Sequence, residues 1–139
     1  MFLVRLVYAS RVSGNFKQGD IESILAAARR NNSKSCVTGL LCFNQEFFLQ
    51  CLEGSRSQVN KTYHNILNDP RHSDIVMLDY KEINQRDFSE WHMGYVPTSS
   101  LTHDINTRFS GTEHFDPYEM SGESARQMMV ALRDVVPTV

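Results

Sequence analysis

The sequence lacks the features of membrane-spanning, secreted and nucleic-acid-binding proteins. No apolar run approaches the roughly 20 residues that span a bilayer, and the apolar N-terminal stretch MFLVRLV is too short for a signal peptide. The net charge is −2, with neither a basic patch for nucleic acid nor an acidic tail. We therefore expect a cytoplasmic protein that binds neither nucleic acid nor a membrane.

Cysteine is scarce as well. The three cysteines, Cys36, Cys42 and Cys51, are odd in number, lie in apolar strand-like runs and form no C-x-x-C pair. Disulfide frameworks and zinc sites need paired or regularly spaced ligands. The cysteines are therefore expected to be reduced and packed, and no metal site is predicted.

Motifs of the common enzyme classes are also missing. There is no Walker loop, no G-x-G-x-x-G, and no motif that pairs any of the five histidines with a nucleophile. The 139 residues, 41% of them hydrophobic, suffice for one domain with a substantial core. These observations predict a single-domain protein without the motif of a common enzyme class.

The residue patterns predict strands and helices in a particular order. Runs rich in β-branched and aromatic residues predict strands, and apolar residues at helical spacing predict helices. Asp20 is the expected N-cap of the first helix, and a capping box formed by Ser55 and Gln58 starts the second. The predicted order is strand 2–10, helix 21–32, strands 36–43 and 46–53, a helix that ends at Asp69-Pro70, strand 74–83 and a possible fifth strand within 91–96.

This order matches the ferredoxin-like split βαβ arrangement, an α+β fold with one mixed sheet and two helices on one face. The other face then needs a cover. Apolar residues recur at helical spacing near the C-terminus and predict a helix over 121–136, and a short helix is possible around 101–109. We assign 1–97 to the core domain and 98–139 to a helical extension in the same compact unit. The apolar positions of the C-terminal helix are Ala125, Met128, Met129, Leu132 and Val135.

Several polar side chains are predicted to point inward between the helices and the sheet. Gln50 lies within the apolar run FFLQCLEG, and Tyr8, Asn31 and Asn32 extend otherwise apolar faces. Taken singly, each has an ordinary explanation, such as a tyrosine at the rim or an asparagine that caps a helix. Together they would satisfy a planar heterocycle with alternating carbonyl and N–H edges between apolar walls.

The chain resembles the BLUF family, blue-light sensors that use FAD. The resemblance covers residues 2–97 in order and spacing, and it rests on a set of motifs rather than on any single one. The motifs are LVYAS around Tyr8, the pair Asn31-Asn32, TGLL at 38–41, FFLQCLEG at 47–54, PRH at 70–72 and FSEWHM at 88–93.

The resemblance implies roles for individual residues. Gln50 corresponds to the switching glutamine, Tyr8 to the tyrosine that bonds to it, and Trp91 and Met93 to residues that report the switch. Either Trp91 or Met93 can lie beside the glutamine. The implied flavin contacts are Asn31, Asn32, Arg71 and His72, with Ile24, Leu41, Phe48 and Ile66 as apolar walls.

The function that the resemblance implies is that of a photoreceptor and not of an enzyme. FAD lies between the two helices, although FMN or riboflavin could substitute, because the family holds the cofactor mainly by its ring. Tyr8 gives the excited flavin an electron and a proton, and Gln50 changes its hydrogen bonds and shifts the spectrum to the red. Output passes to a separate protein partner, and a homo-dimer or larger homo-oligomer is expected.

Two alternatives stay open from the residues alone. One is an interaction module without flavin that dimerises through its sheet and C-terminal helix. The other is a small acyl- or phosphoryl-transfer enzyme on the same fold. The second would need an anion-binding loop with a positioned arginine, and the loop after Tyr8 has no such pattern.

Overall fold

The computed structural model describes residues 2–17, 19–97, 103–111 and 113–135. Its helices and strands follow the predicted order, with a short 3₁₀ turn at Pro117–Glu119. The elements are β1 (Leu3–Val12), α1 (Asp20–Ser35), β2 (Thr38–Phe43), β3 (Phe47–Ser55), α2 (Arg56–Leu67), β4 (His72–Ile83), β5 (Gly94–Pro97), α3 (His103–Ser110) and α4 (Gly122–Val135).

The five strands form one mixed sheet in the order β4-β1-β3-β2-β5. β1 pairs antiparallel with β3 and β4, and β2 pairs antiparallel with β3. β5 joins the edge of the sheet parallel to β2. The predicted α+β ferredoxin-like fold with a mixed sheet is therefore confirmed, and the fifth strand exists but begins at Gly94.

The two faces of the sheet pack against different helices, as the alternation of strand side chains predicts. On the α1/α2 face, Val4, Leu6 and Tyr8 pack with residues of α1 and α2, among them Leu25. On the α4 face, Val7 packs with the predicted apolar residues of the C-terminal helix. These are Ala125, Met128, Met129 and Leu132, whereas the side chain of Val135 lies outside the described residues.

Gly39 of the TGLL motif brings β2 very close to β3. A Cβ atom at this position would lie 1.9 Å from the carbonyl oxygen of Cys51. No side chain fits there, so the motif requires glycine for close contact between the two strands below α1 and α2.

The two predicted helix starts have different outcomes. The Ser55 side chain accepts a hydrogen bond from the Gln58 amide at 3.4 Å, as predicted for the start of α2. The prediction for Asp20 is wrong, because Gly19 is the N-cap and Asp20 is the first helical residue. Gly19 has a left-handed φ of 92°, which suits glycine, and the Asp20 carboxylate instead accepts from the Lys17 amide in the preceding loop.

The C-terminal part of the chain is described only in part. Helix α3 begins at His103, so the first residues of the helix expected at 101–109 lie outside the described residues, as does the last residue of 121–136. Within the described ranges, no helix has the length and apolar character needed to cross a membrane.

Candidate functional site

A cleft opens between α1 and α2 above the central strands. Clefts lined by apolar side chains with a few polar groups hold small molecules and cofactors. Most of the predicted site residues line this cleft, and Phe48, Trp91 and Met93 do not. The predicted residues that do so are Tyr8, Ile24, Asn31, Asn32, Leu41, Gln50, Ile66, Arg71 and His72.

Tyr8, Gln50 and Met93 form a buried hydrogen-bonded chain at the floor of the cleft. β1 and β3 pair Tyr8 directly with Gln50, and the Tyr8 hydroxyl donates to Gln50 Oε1. The other end of the carboxamide, Nε2, donates to Met93 Sδ at 3.3 Å. Gln50 thus bonds to a strong donor at one end and to a weak thioether acceptor at the other.

Trp91 lies on the opposite face of the sheet from Gln50. Its ring packs 6.2 Å from Phe88 in the cluster that α4 covers. On a regular strand, residues 91 and 93 would share a face. β5 begins only at Gly94, and residues 92–93 form a bend. Because of this bend, Met93 lies on the α1/α2 face, whereas Trp91 lies on the α4 face. The structure therefore places Met93, not Trp91, beside Gln50.

The environment of Tyr8 keeps its phenol protonated. Burial raises the pKa of Tyr8 above its ordinary value of 10, and the nearby Tyr63 and Asp69 raise it further. The ring is also held by its neighbours, with the Tyr63 ring centroid 5.7 Å away. Tyr8 therefore has a hydroxyl proton to donate at neutral pH.

Of the two neighbouring asparagines, only Asn32 is turned inward. Asn32 is 1% exposed, and its Nδ2 donates to the carbonyl oxygen of His92 at 2.7 Å. Asn31 lines the mouth of the cleft and is exposed to solvent. The expectation that both point inward is therefore correct for Asn32 alone, since consecutive helical residues lie about 100° apart around the axis.

Arg71 projects into the cleft as half of an ion pair. Its Nη2 lies 2.7 Å and its Nε 3.2 Å from Asp69 Oδ2, and its backbone amide donates to Asp69 Oδ1. Burial raises the pKa of the Asp69 carboxyl, but the hydrogen bonds and charge of Arg71 outweigh burial, so the pKa is lowered overall. Asp69 was not predicted as a site residue, although the local D-P-R sequence indicates such a pair.

His72 forms the end wall of the cleft. Its Nδ1 lies 2.9 Å from the hydroxyl of Ser10, and its ring centroid is 4.5 Å from that of Phe48. Burial lowers the pKa of His72, which favours the neutral imidazole. Phe48 packs against the His72 ring but does not line the cleft itself. No local pattern indicates Ser10, because its partner lies 62 residues away.

The lining suits a flat ring with a polar edge. Ile24, Leu41 and Ile66 supply aliphatic walls, while Asn32 and Gln50 supply carboxamides for a ring with carbonyl and N–H groups. The residues present therefore fit the ring of a flavin. Within the part of the chain that the structure describes, no group of three or more metal-ligating side chains occurs.

The fold and this cleft define a small α+β domain that binds a planar ligand between two helices. A family model described as sensors of blue-light using FAD, BLUF, matches residues 3–94. The chain belongs to the BLUF family, a family of flavin-binding blue-light photoreceptors.

Curated relatives share the domain but are much longer. The blue light- and temperature-regulated antirepressor BluF of Escherichia coli K12 is 42% identical over 76 residues, or 55% of this chain and 19% of that protein. The beta subunit of the photoactivated adenylate cyclase of Euglena longa is 26% identical over 142 residues, or 91% of this chain and 16% of that protein. The chain thus spans less than a fifth of either relative.

Two solved structures resemble the chain over nearly its whole length. BlsA in its photo-activated state has a TM-score of 0.88 at 27% identity and covers 99% of this chain and 98% of its own. The dark-state structure of the BLUF protein BlrB has a TM-score of 0.76 at 30% identity and covers 94% of this chain and 97% of its own.

Proposed function

We propose that this protein signals blue light through a switch formed by Tyr8, Gln50 and Met93. The observation that supports the proposal most directly is the buried chain of hydrogen bonds from the Tyr8 hydroxyl through the Gln50 carboxamide to Met93 Sδ. A carboxamide with two different partners can exchange its donor and acceptor ends. Burial makes each of these hydrogen bonds electrostatically stronger than it would be in water.

FAD is the proposed ligand of the cleft. Asn31, Asn32 and His72 contact it, Arg71 supplies a cation near its polar edge, and the aliphatic walls enclose its faces. Arg71 is the one arginine or lysine among the described lining residues. Its charge is already balanced by Asp69, so it does not need a phosphate as its partner. FMN and riboflavin are therefore expected to substitute. Ile24, Leu41 and Ile66 are the proposed walls, with Phe48 behind His72.

The mechanism assigns one step to each residue. When bound, FAD supplies absorption of blue light and an acceptor for an electron and a proton. Tyr8 would donate both: its hydroxyl proton would pass along the bond to Gln50 Oε1, and Gln50 Nε2 would release a proton toward the ring in exchange. Gln50 would then rotate or stay as the tautomer, and rotation would break its bond to Met93 Sδ. Return of the electron and proton to Tyr8 leaves Gln50 in the new arrangement, so no net chemistry occurs.

The proposed output passes from Met93 into β5 and on to the helical extension. We treat residues 1–97 as the sensor and 98–139 as an extension in the same unit, with α4 already packed on the sheet. Trp91 would report the change from the α4 face. We propose a separate protein partner in the cytoplasm, a homo-dimer or larger oligomer, and no enzymatic activity of this domain.

The test is a visible absorption spectrum of the purified protein before and after blue light. Flavin bands that shift to the red and recover in the dark are expected. Bands that bleach without a shift would contradict the switch. A protein that takes up no FAD even after reconstitution would refute the photoreceptor function and favour the interaction module.

A further inference from the structure

Two side chains of α1 hold consecutive carbonyl groups of the segment that carries Met93. Asn32 Nδ2 donates to the carbonyl oxygen of His92 at 2.7 Å, and Arg29 Nε donates to that of Met93 at 3.0 Å. Arg29 and Asn32 are three residues apart, so both side chains project from the same side of the helix. Helix α1, which forms one wall of the cleft, is thus attached to this segment at two adjacent points.

These two bonds matter because the sheet holds the chain on either side of residues 92–93, and the β5 ladder does not include Met93. On one side the Gly39 amide donates to the Trp91 carbonyl at 3.0 Å, and on the other the ladder of β5 with β2 begins at Gly94, with a bend at 92–93 between them. Met93 Sδ is also a weak acceptor, and methionine is a flexible side chain. The bond to Gln50 therefore cannot position Met93 by itself, and the placement of its backbone decides where the sulfur lies.

Arg29 differs from the arginine beside it in this respect. Arg29 is half-buried and reaches across to the Met93 carbonyl, whereas Arg30 is exposed on the next position around the helix. The two residues therefore share charge, size and helix, but the structure bonds only Arg29 to the Met93 carbonyl.

We propose that Arg29 is a positioning residue for the switch. Its guanidinium holds the Met93 carbonyl so that the sulfur meets Gln50 Nε2, an inference that rests on the function proposed above. Once Gln50 has rotated away from Met93, Arg29 keeps Met93 in its dark-state position, so that the bond between Gln50 and Met93 can form again. Loss of the bond therefore slows the return in the dark.

Three variants separate the hydrogen bond from charge and bulk. Arg29→Met keeps the length of the side chain but removes the donor. Arg29→Gln removes the charge but carries a donor nitrogen, Nε2, at the same number of bonds from Cα as arginine Nε. Arg30→Met removes the same charge and donors from the exposed neighbour. Each protein is loaded with FAD, illuminated, and followed by absorption during dark recovery.

Arg29→Met is expected to slow recovery about two- to tenfold, the range that corresponds to the loss of one hydrogen bond. The dark-recovery rates of Arg29→Gln and Arg30→Met should lie within about twofold of the parent rate. Recovery of Arg29→Met at the parent rate or faster would overturn the proposal. So would equal slowing in Arg29→Met and Arg29→Gln, because charge and not the bond would then be responsible.

A second measurement does not depend on photochemistry. Amide hydrogen exchange is measured in the dark for peptides covering 89–97, where Arg29→Met should accelerate exchange and Arg29→Gln and Arg30→Met should not. If the parent shows no red shift, the photoreceptor function fails, and this measurement still decides the attachment. Unchanged exchange in Arg29→Met would overturn it.

Discussion

Replacing Tyr8 by phenylalanine removes one oxygen atom from the centre of the proposed switch. The ring keeps its packing against Tyr63 and its place opposite Gln50 on β3. What is lost is the donor to Gln50 Oε1, and the carbonyl end of a carboxamide that is only 5% exposed is left without that bond. The variant therefore tests the hydrogen bond and the electron donor at once, with little change in shape.

The magnitude follows from the burial of Gln50. A buried acceptor left unsatisfied costs about 1–3 kcal/mol of folding free energy. For a domain of this size, 1 kcal/mol shifts the unfolding temperature by about 3–4 °C. Tyr8→Phe should therefore lower the unfolding temperature of the dark, FAD-loaded protein by about 3–10 °C. The protein should stay yellow, yet show no red shift after blue light.

The assays are thermal unfolding followed by circular dichroism and light-minus-dark absorption spectra. Tyr63→Phe is the matched control, because its ring lies against Tyr8 but the bond to Gln50 is left intact. This control should keep the red shift. A normal red shift in Tyr8→Phe would remove Tyr8 as the electron donor. An unchanged unfolding temperature would show that its bond to Gln50 contributes nothing to stability.

Two further substitutions test the cleft and the sheet below it. Asp69→Asn should cost up to about 1 kcal/mol at pH 7, the value of a partly exposed ion pair, as measured by urea unfolding. The folded pKa of Asp69 lies below 3.8, so the Asp69 carboxylate stabilises the fold above pH 3.8, and this stabilisation is lost as the pH falls through the folded pKa. The difference in unfolding free energy between parent and variant should therefore shrink in acid. A difference that is constant with pH would contradict the ion pair. Gly39→Ala should cost about 3 kcal/mol or more, because its Cβ would lie 1.9 Å from a backbone oxygen. Gly14→Ala, where no atom lies within 4 Å of a new Cβ, should be nearly neutral, and equal effects of the two would refute the steric argument.

The alternation of residues along the strands is enough to predict much of the site. A period of two places Phe48 and Gln50 on one face of β3 and Tyr8 on the apolar face of β1. In the structure, Tyr8 and Phe48 lie on the α1/α2 face, and Gln50 lines the cleft there. The helical period likewise predicts the buried stripe of α4, including Met128 and Met129. These features depend on spacing within one element, which a sequence displays directly.

Features that depend on a break in an element, or on a distant partner, could not be predicted in this way. Period two puts Trp91 and Met93 on one face, but the bend before Gly94 separates them. Arg29 donates to an acceptor 64 residues away. The acceptor is a backbone carbonyl, a group that every residue has, so no residue type marks it in the sequence. Ser10 and its side-chain partner His72 likewise lie 62 residues apart.

The separation of Trp91 from Met93 has a chemical consequence for the direction in which the Gln50 carboxamide points. Tyr8 donates to Oε1, so the amide group at the other end needs an acceptor. A thioether sulfur can accept, weakly, whereas an indole N–H can only donate and would face the amide hydrogens. An indole at this place would favour the reversed carboxamide. Met93 beside Gln50 therefore favours the observed orientation, and Asn32 and Arg29, which bond to the bend, would help to determine the starting state of the proposed switch.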